Sequence, residues 1–446
     1  MLEAAALLLF AAAVAFCAVC GVSVVFALVF GFFVFTGYGL LKGFSLKALA
    51  PLMMKGVKAT ADVVIIMALI GMLTGSWRAS GTIARLVGDA AGLISPSWSL
   101  VTAFLLNGAL STLLGTSFGT VATLGVITMT MTNAMGISPF LAGGAILSGV
   151  FVGDRCSPVS SSAALVAVVT RTSLYDNIRT MLKTGAIPMA LAAAAYAVLG
   201  FILPGHAVTL DVTSIFTAEF RLGAITFLPA VLLVGLVLCK VPIKFTMTAS
   251  ILAAVLLCVF YQGQSWETVA RTLVLGFAAG SADVGRMLDG GGLVSMISVC
   301  LIVLISSTFS GIFEGTGLID AMKAKIPLIA RRITPFGTIT LTALVTAAIS
   351  CNQALAVLLT EQVSRPICPD NKARASHIEN TAIVIAPLIP WSIAGAVPVT
   401  TIGAPVACIF AAFYLWLLPV VNFFVEARRL LPPAPQQEDC LNGKND

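Results

Sequence analysis

Apolar residues run along almost the whole chain in long stretches, and short polar segments separate these stretches from one another. From residue 4 to residue 41 the chain contains no Asp, Glu, Lys, Arg or His. This length suffices for two membrane-spanning helices of about 20 residues each. The pattern predicts spans near residues 4–20, 22–41, 59–76, 97–133, 138–170, 184–203, 223–239, 245–260, 291–313, 333–366, 378–402 and 404–425.

The composition excludes a water-soluble fold. Of the 446 residues, 59% are hydrophobic and only 10% are charged, whereas a soluble domain carries about 25% charged residues. The net charge of +6 comes from basic residues in short loops, and it does not indicate a nucleic-acid partner. The expected partner is the lipid bilayer, in the inner (plasma) membrane of a bacterium.

Basic residues predict the orientation, because Lys and Arg concentrate in cytoplasmic loops. The basic loops hold Lys42, Lys47, Lys55, Lys58, Arg171, Arg179, Lys183, Lys240, Lys244, Lys323, Lys325, Arg331, Arg332, Arg428 and Arg429. All of them lie in the cytoplasm, and so does the C-terminus, if 138–170 and 378–402 each enter and leave on one side. Arg365, Lys372 and Arg374 then lie outside, against the rule.

Four of the apolar runs are interrupted in the middle. The breaks are at Gly115–Thr120, Gly153–Pro158 and Ser350–Gln353, and the run 378–402 contains Pro387, Pro390 and Pro398. A broken helix in lipid exposes backbone N–H and C=O groups, which cost several kcal/mol each if they stay unpaired. Such breaks are tolerated where they line a polar cavity, so they predict a site.

The order of these runs predicts an all-α polytopic membrane protein built from two inverted-topology repeats. In each repeat a broken helix (97–133, 333–366) precedes a re-entrant helical hairpin (138–170, 378–402). Pro158 with Ser160 matches Pro390 with Ser392, and Thr116-Ser117 matches Cys351-Asn352 at nearly the same offset. The predicted divisions are a first repeat (1–203), an external connector (204–222), a second repeat (223–425) and a cytoplasmic tail (426–446).

Asp154 is the leading candidate for an ion ligand, because a carboxylate inside the membrane marks a functional site by default. An ionised carboxylate there is costly unless a cation compensates it, so Asp154 can exchange a proton for Na+. The alternative is a structural ion pair between Asp154 and Arg155. The breaks add groups that can line the same site: Thr116, Ser117, Thr120, Asn352 and Gln353.

Several motifs are similar to those of the NhaC-type sodium/proton antiporter family, within the ion transporter superfamily. They are Gly71–Ile83 (GMLTGSWRASGTI), Gly115–Thr120 (GTSFGT), Gly153–Ser160 (GDRCSPVS), Glu314–Gly317 (EGTG) and Glu379–Gly395 (ENTAIVIAPLIPWSIAG). They cover most of the chain in the family's order. The resemblance implies that two hairpins form the ion site, through Asp154, Ser157 and Pro158 in the first and Glu379, Pro387, Pro390 and Trp391 in the second.

The chain departs from the family pattern just after the first hairpin motif. Many members continue with an Asp-Thr-Thr-Asn run, where this chain has Ser161, Ser162, Ala163 and Ala164, so a second carboxylate is missing. The expected ion- or substrate-binding residues are Asp154, Ser157, Thr116, Ser117, Thr120, Asn352, Gln353, Glu379 and Ser392. The expected supporting residues are Arg155, Pro158, Ser160, Ser161, Glu314, Pro390 and Trp391.

The leading function is therefore a secondary active transporter, a sodium/proton antiporter that works by alternating access. It carries Na+ and H+ and needs no cofactor; a homodimer is left open. The alternative is a sodium- or proton-coupled carrier of a small organic acid, such as malate or lactate, or of an amino acid. A remote alternative is an intramembrane aspartyl protease, since Gly153-Asp154 and Tyr175-Asp176 resemble its motifs.

Overall fold

The computed structural model describes residues 2–20, 22–91, 95–158, 160–203, 216–239, 241–281, 284–285, 288–318 and 334–430. Within these residues the regular secondary structure is helical, apart from one isolated β-bridge between Phe277 and Gly290. Most of the predicted connector, the predicted tail after residue 430, Lys240 and the basic loop from Lys323 to Arg332 lie outside the described residues.

The helices of the first half are Leu2–Cys20, Val24–Leu41, Leu46–Ala59, Ala61–Ala79, Thr82–Ala91, Pro96–Leu114, Ser117–Thr120, Val126–Ala134, Pro139–Cys156, Ser161–Thr170 and Leu174–Ile202. Those of the second half are Leu228–Leu238, Ile243–Leu256, Trp266–Leu275, Gly292–Ser295, Ile297–Thr316, Pro335–Ser350, Gln353–Ser364, Asn371–Glu379, Ala382–Ile385, Ile393–Thr401 and Phe413–Leu430. Short π-helical segments follow at Val121–Gly125 and Leu257–Tyr261, and 3-10 turns at Ala224–Phe227, Ala386–Leu388 and Val406–Ala411.

Four described helices are long and apolar enough to cross a membrane, and a bent pair adds a fifth candidate. The four are Ala61–Ala79, Pro96–Leu114, Leu174–Ile202 and Ile243–Tyr261, and the pair is 371–388 with 393–401. Other predicted spans consist of shorter apolar helices. Together with the composition, these helices define a multi-pass helical membrane protein.

Residues 96–134 form a first helical hairpin, in which two arms lie side by side. The Asn107 amide Nδ2 donates to Thr128 Oγ1 over 3.0 Å. In one continuous helix these residues would be roughly 30 Å apart along the axis. Residues 335–364 form a second helical hairpin in the same way, since Thr346 Oγ1 and Thr360 Oγ1 are 2.8 Å apart.

A left-handed residue at each tip explains why the chain reverses. Gly115 has φ 67° and Cys351 has φ 54°, and each ends the first arm of its hairpin. Thr116 and Asn352 follow in extended conformation and cap the second arm. A left-handed residue after a helix turns the chain out of the helix axis. The predicted breaks are present. The segments 97–133 and 333–366 were predicted to cross the membrane in one direction, but in the structure each reverses at its break.

Residues 139–170 form a first broken helix, Pro139–Cys156 followed by Ser161–Thr170. Ser148 Oγ lies 2.8 Å from Tyr196 Oη, and Arg155 Nη1 donates to the Met181 carbonyl over 3.1 Å. Pro139–Cys156 is therefore antiparallel to Leu174–Ile202, whose first residues extend about 10 Å past Arg155. Asn177 Nδ2 donates to Thr172 Oγ1 over 2.9 Å, so the second segment ends beside those first residues, past Arg155, and does not return.

Residues 371–401 form a second broken helix. Its two segments, 371–388 and 393–401, meet at a bend of 54°. The linking backbone is extended at Ile389 and Ser392, as it is at Ser157 and Ser160 in the first broken helix. Without a left-handed residue the chain bends but keeps its general direction. The segments predicted as hairpins, 138–170 and 378–402, are thus broken helices, and the two predicted broken spans are hairpins.

Leu174–Ile202, about 43 Å long, shows where the first hairpin begins. The rings of Trp98 and Phe201 are 5.2 Å apart, and the Cβ position of Gly200 is filled by Ser97. The first hairpin therefore starts at the Ile202 end of this helix.

The second hairpin begins at the other end. Phe413 N donates to Tyr196 Oη over 3.1 Å, and Asn422 Nδ2 donates to the Thr184 carbonyl over 3.3 Å. Phe413–Leu430 thus runs antiparallel to Leu174–Ile202 and ends near Leu174. Phe336 N donates to Glu426 Oε2 over 3.1 Å, which places the start of the second hairpin at that end too.

Glycines bring the first broken helix into close contact with the first arm of the first hairpin. A Cβ atom on Gly153 would lie 2.0 Å from the Ser111 carbonyl carbon, and one on Gly149 would lie 2.5 Å from the Phe104 carbonyl oxygen. The Ser111 hydroxyl also donates to the Val150 carbonyl. Small residues allow such backbone approach in membrane proteins, and here they fix the helix that carries Asp154.

Candidate functional site

Asp154 lies at the centre of a small polar cluster, and its residue is only 4% exposed. Its Oδ2 accepts hydrogen bonds from Ser162 Oγ over 3.1 Å and from Gln353 Nε2 over 3.0 Å. Gln353 Nε2 also donates to the Ile383 carbonyl over 3.0 Å, and Gln353 Oε1 lies 3.3 Å from Ser162 Oγ. The Asp154 cluster thus joins the first broken helix, the second hairpin and the second broken helix.

Each of the three side chains in the Asp154 cluster stands next to a helix break. Asp154 occupies the last turn of Pro139–Cys156, and Ser162 occupies the first turn of the segment after the break. Gln353 is the first residue of the second arm of its hairpin, directly after the capping residue Asn352. The breaks interrupt the backbone ladder where these side chains meet, so the cluster forms where polar groups are least costly.

The Asp154 carboxylate has only neutral partners among the described residues. Ser162 and Gln353 are both uncharged donors, and no salt bridge in the described part of the chain includes Asp154. A buried ionised carboxylate needs a cation or several donors to offset its desolvation. The arrangement suits a group that alternates between binding a proton and binding a cation.

Arg155 does not pair with Asp154, contrary to the structural alternative. Its side chain is completely buried and donates from Nη1 to the Met181 carbonyl and Tyr414 Oη, each over 3.1 Å. Its Nη2 donates to Thr184 Oγ1 over 2.8 Å and to the Asn380 side-chain oxygen. Consecutive residues on a helix point about 100° apart, so Asp154 and Arg155 face different neighbours.

All five N–H groups of the Arg155 guanidinium are therefore occupied. Its Nε donates to the Glu379 carbonyl over 3.2 Å, which completes the five donors that arginine possesses. The acceptors come from Leu174–Ile202, from the second broken helix and from Phe413–Leu430. Arg155 thus holds three elements together and has no donor left for a substrate.

Glu379 is buried on the Arg155 side of the first broken helix. Neither of its carboxylate oxygens has a donor with good hydrogen-bond geometry in the described part of the chain, and the Asn177 amide is the polar group beside it. Arg155 is the charged group that acts on it. The structure therefore places Glu379 with Arg155 and not in the Asp154 cluster.

The hydroxyls at the tip of the first hairpin bond to their own backbone. Thr116 Oγ1 accepts from Gly119 N over 3.4 Å, and Thr120 Oγ1 donates to the Thr116 carbonyl over 2.8 Å. Ser117 is buried beside them. No hydrogen bond described for these three residues reaches Asp154, so the structure does not join them to its cluster.

Asn352 and Ser392 each occupy the N-cap position of the helix that follows a break, but only Asn352 caps it through its side chain. Asn352 Oδ1 accepts from Ala354 N over 2.9 Å and from Leu355 N over 3.4 Å. Ser392 is buried, and its hydroxyl has no hydrogen-bond partner in the described part of the chain. Among the predicted ligands in the described part of the chain, Ser392 and Glu379 have buried side-chain oxygens without a hydrogen-bond partner.

The expected supporting residues occupy several different environments. Ser160 caps the second segment of the first broken helix and donates to the Asp154 carbonyl. Trp391 Nε1 donates to the Ala348 carbonyl over 2.8 Å. Of the other supporting residues, Pro158 and Ser161 are exposed and Pro390 is half-buried, while the side chain of Glu314 lies outside the described structure. Ser157, an expected ligand, is buried beside this break.

Sequence reasoning did not predict the contact of Ser162 with Asp154 or four partners of Arg155. Ser161 was expected to matter because the family resemblance implied an Asp at that position, yet Ser161 is exposed and Ser162 contacts Asp154. The helical phase after the cap at Ser160 decides which hydroxyl faces inward. The missed partners of Arg155 are Met181, Thr184, Asn380 and Tyr414; only Asn380, next to Glu379, lay in a recognisable motif.

A buried carboxylate beside interrupted helices in a multi-pass helical protein defines a membrane transporter. The comparisons with known proteins agree. The Na+/H+ antiporter family model matches residues 1–167 and 149–424, so the chain belongs to the Na+/H+ antiporter family. It is a transporter and not an enzyme, and exposed Asp176 does not join Asp154 in a protease site.

Curated relatives cover most of the chain. The Na(+)/H(+) antiporter NhaC of Alkalihalophilus pseudofirmus is 28% identical over 389 residues, 83% of this chain and 82% of the relative. The malate-2H(+)/Na(+)-lactate antiporter of Bacillus subtilis is 26% identical over 82% of this chain and 81% of its own. The Na(+)/H(+) antiporter NhaC of Bacillus subtilis is 27% identical over 86% of this chain and 87% of its own.

Proposed function

We propose that the protein exchanges sodium ions for protons and that Asp154 is the carboxylate on which the two alternate. The observation that carries this proposal is a buried carboxylate with uncharged partners at the meeting point of two helix breaks. Two relatives with this activity in their names extend over more than four-fifths of the chain. Na+ and H+ are the transported species, and no cofactor takes part.

We infer that the two halves are inverted repeats, each with a re-entrant hairpin followed by a broken helix. Thr116 (φ −143°, ψ 125°) and Asn352 (φ −141°, ψ 128°) have nearly the same backbone conformation. So do Ser160 (φ −71°, ψ 129°) and Ser392 (φ −74°, ψ 142°). The hairpins also begin at opposite ends of Leu174–Ile202. Discontinuous helices from two inverted repeats are the usual setting of a transport site.

The proposed orientation places the Leu174 end in the cytoplasm of a bacterial cell. His377 Nε2 lies 3.9 Å from Glu426 Oε1, so the residues before His377 share a side with the end of Phe413–Leu430. Arg365, Lys372 and Arg374 then lie with the cytoplasmic basic residues. The exception to the positive-inside rule that the sequence topology required disappears, and this supports a cytoplasmic C-terminus.

The proposed exchange cycle uses the geometry of the Asp154 cluster. When Asp154 is ionised, the carboxylate and the neighbouring oxygens of Ser162, Gln353 and Ile383 can surround a sodium ion. When a proton binds Asp154, the charge that holds the ion is lost and sodium leaves. One carboxylate thus cannot hold both ions, and this competition couples their movements. We keep Ser157, Ser392, Glu379 and the hydroxyls of the first hairpin as candidates for a second contact with the ion in another state.

Reconstitution in liposomes with an internal pH dye tests this function. Sodium, lithium, potassium, malate, lactate and arginine are added in turn to wild-type protein and to the Asp154→Asn variant. The proposal predicts a pH change with sodium that Asp154→Asn abolishes. Asp176→Asn, which removes an exposed carboxylate from the same chain, serves as the control and keeps the response.

Two results would overturn the proposal. A wild-type response to malate, lactate or arginine but not to sodium alone would favour the organic-acid or amino-acid carrier. Sodium exchange at the wild-type rate by folded Asp154→Asn would remove Asp154 from the site.

A further inference from the structure

The amide of Gln353 occupies an unusual position in the Asp154 cluster. Its Nε2 lies 3.0 Å from both Asp154 Oδ2 and the Ile383 carbonyl oxygen. A backbone carbonyl can only accept a hydrogen bond, so the Ile383 contact fixes the amide with its NH2 group toward these oxygens. One nitrogen thus stands between an acidic oxygen and the Ile383 carbonyl, whose helical donor four residues on would be Pro387, a residue without an N–H.

Those two oxygens are of the kind that bind sodium in transporters. Carboxylates and carbonyls of interrupted helices supply such ligands, and Ser162 Oγ and Gln353 Oε1 are close by, 3.3 Å from each other. The NH2 group carries partial positive charge, and it satisfies both oxygens as a cation would. A sodium ion and the NH2 group cannot occupy the same position between these oxygens, because the partial positive charge of the NH2 group repels the ion.

We propose that the Gln353 amide is a tethered substitute for the transported cation. In the sodium-free state its NH2 group fills the ion position. Sodium binding displaces it, and the amide then turns so that Oε1 faces the ion. This inference rests on the proposed function, and it adds a residue that sets sodium affinity by competing with the ion.

The displacement also connects ion binding to movement. Gln353 is the first residue of the second arm of the second hairpin, while Asp154 and Ile383 belong to the two broken helices. Its two hydrogen bonds therefore tie the hairpin tip to both broken helices. Sodium breaks both of these hydrogen bonds at once, and the ion then links Gln353 to the two broken helices in their place. Loss of the ion restores them.

Two substitutions of Gln353, with Ala354→Glu as the control, separate competition with sodium from an effect on packing. Gln353→Glu removes the NH2 group and keeps acceptor oxygens, so sodium should bind more tightly. The apparent sodium constant, which is the sodium concentration that gives half-maximal exchange, should fall by about tenfold or more at high pH. Ala354→Glu adds the same charge in the same helical turn, on an exposed position, and should change that constant little. Gln353→Lys places a full positive charge at the ion position, so exchange should stop and sodium should no longer raise the melting temperature.

The measurements are dye-reported exchange in liposomes and thermal unfolding in detergent, each over a range of sodium concentrations. An equal effect of Gln353→Glu and Ala354→Glu would overturn the inference, as would sodium-dependent exchange by Gln353→Lys. If Gln353→Lys fails to fold, the comparison of the two Glu variants decides. If wild-type protein shows no response to sodium in either assay, the proposed function fails and not the role of Gln353 alone.

Discussion

Asp154 and Arg155 are neighbours in sequence, yet their conservative substitutions should have opposite consequences. Asp154→Asn keeps the shape of the side chain and removes its charge. The bonds from Ser162 and Gln353 then fall from the roughly 1.5–3 kcal/mol of a charged acceptor to about 0.5–1.5 kcal/mol each. The desolvation cost of an ionised carboxylate, several kcal/mol, disappears at the same time. We expect the free energy of unfolding to stay the same or to rise.

Arg155→Lys keeps the charge and should damage the fold. Five acceptors surround the guanidinium, whereas an ammonium group has three donors. At least two buried acceptors lose their donors, at about 1–3 kcal/mol each. The free energy of unfolding should thus fall by roughly 2–6 kcal/mol. The exchange step itself should not be affected, because Arg155 does not take part in it.

Thermal unfolding in detergent and dye-reported exchange in liposomes measure the two effects separately. Asp154→Asn should melt at or above the wild-type temperature, show no exchange and lose any sodium-induced rise in melting temperature. Arg155→Lys should melt lower, and the molecules that remain folded should still respond to sodium. A strong destabilisation by Asp154→Asn with a stable Arg155→Lys would refute this account of the two residues.

Three further predictions concern ligand strength, packing and topology. Ser162→Ala removes one donor to Asp154 and should change the apparent sodium constant several-fold, by about 1 kcal/mol, with normal expression; Ser161→Ala, at the exposed neighbour, should leave it unchanged. Gly153→Ala places a Cβ atom 2.0 Å from a Ser111 backbone atom, so the yield of folded protein should collapse, and a normal melting curve would contradict the packing described. Lys372→Cys should react with an impermeant thiol reagent only from the side on which a C-terminal tag is accessible, and labelling from the opposite side would rule out the proposed orientation.

The positions of the helix breaks could be predicted from the sequence, because the residues that cause them are visible there. Glycine and hydroxyl residues stand at the first tip, and Ser157 and Pro158 stand at the first bend. Asp154 was recognisable for the same reason, since a lone carboxylate in an apolar run is conspicuous.

The direction of the chain after each break could not be predicted in this way. It depends on whether one linking residue is left-handed, and Cys351, with φ 54°, gives no such signal in sequence because positive φ is uncommon for residues other than glycine. Hairpins were therefore predicted where the structure has broken helices, and broken helices where it has hairpins. The contact between Asp154 and Gln353 joins positions 199 apart in the chain, and only the folded arrangement of both halves brings them together.

The central claim is that sodium and protons compete for Asp154. The most direct test is the apparent sodium constant of wild-type protein in liposomes, measured at a series of pH values with the maximal rate determined at each. Competition for one carboxylate predicts that the constant rises as the pH falls, approaching about tenfold per pH unit once the protonated form dominates, while the maximal rate at saturating sodium stays constant. A constant that does not change with pH while the maximal rate falls would contradict the claim, because protons would then act at a site that sodium does not occupy.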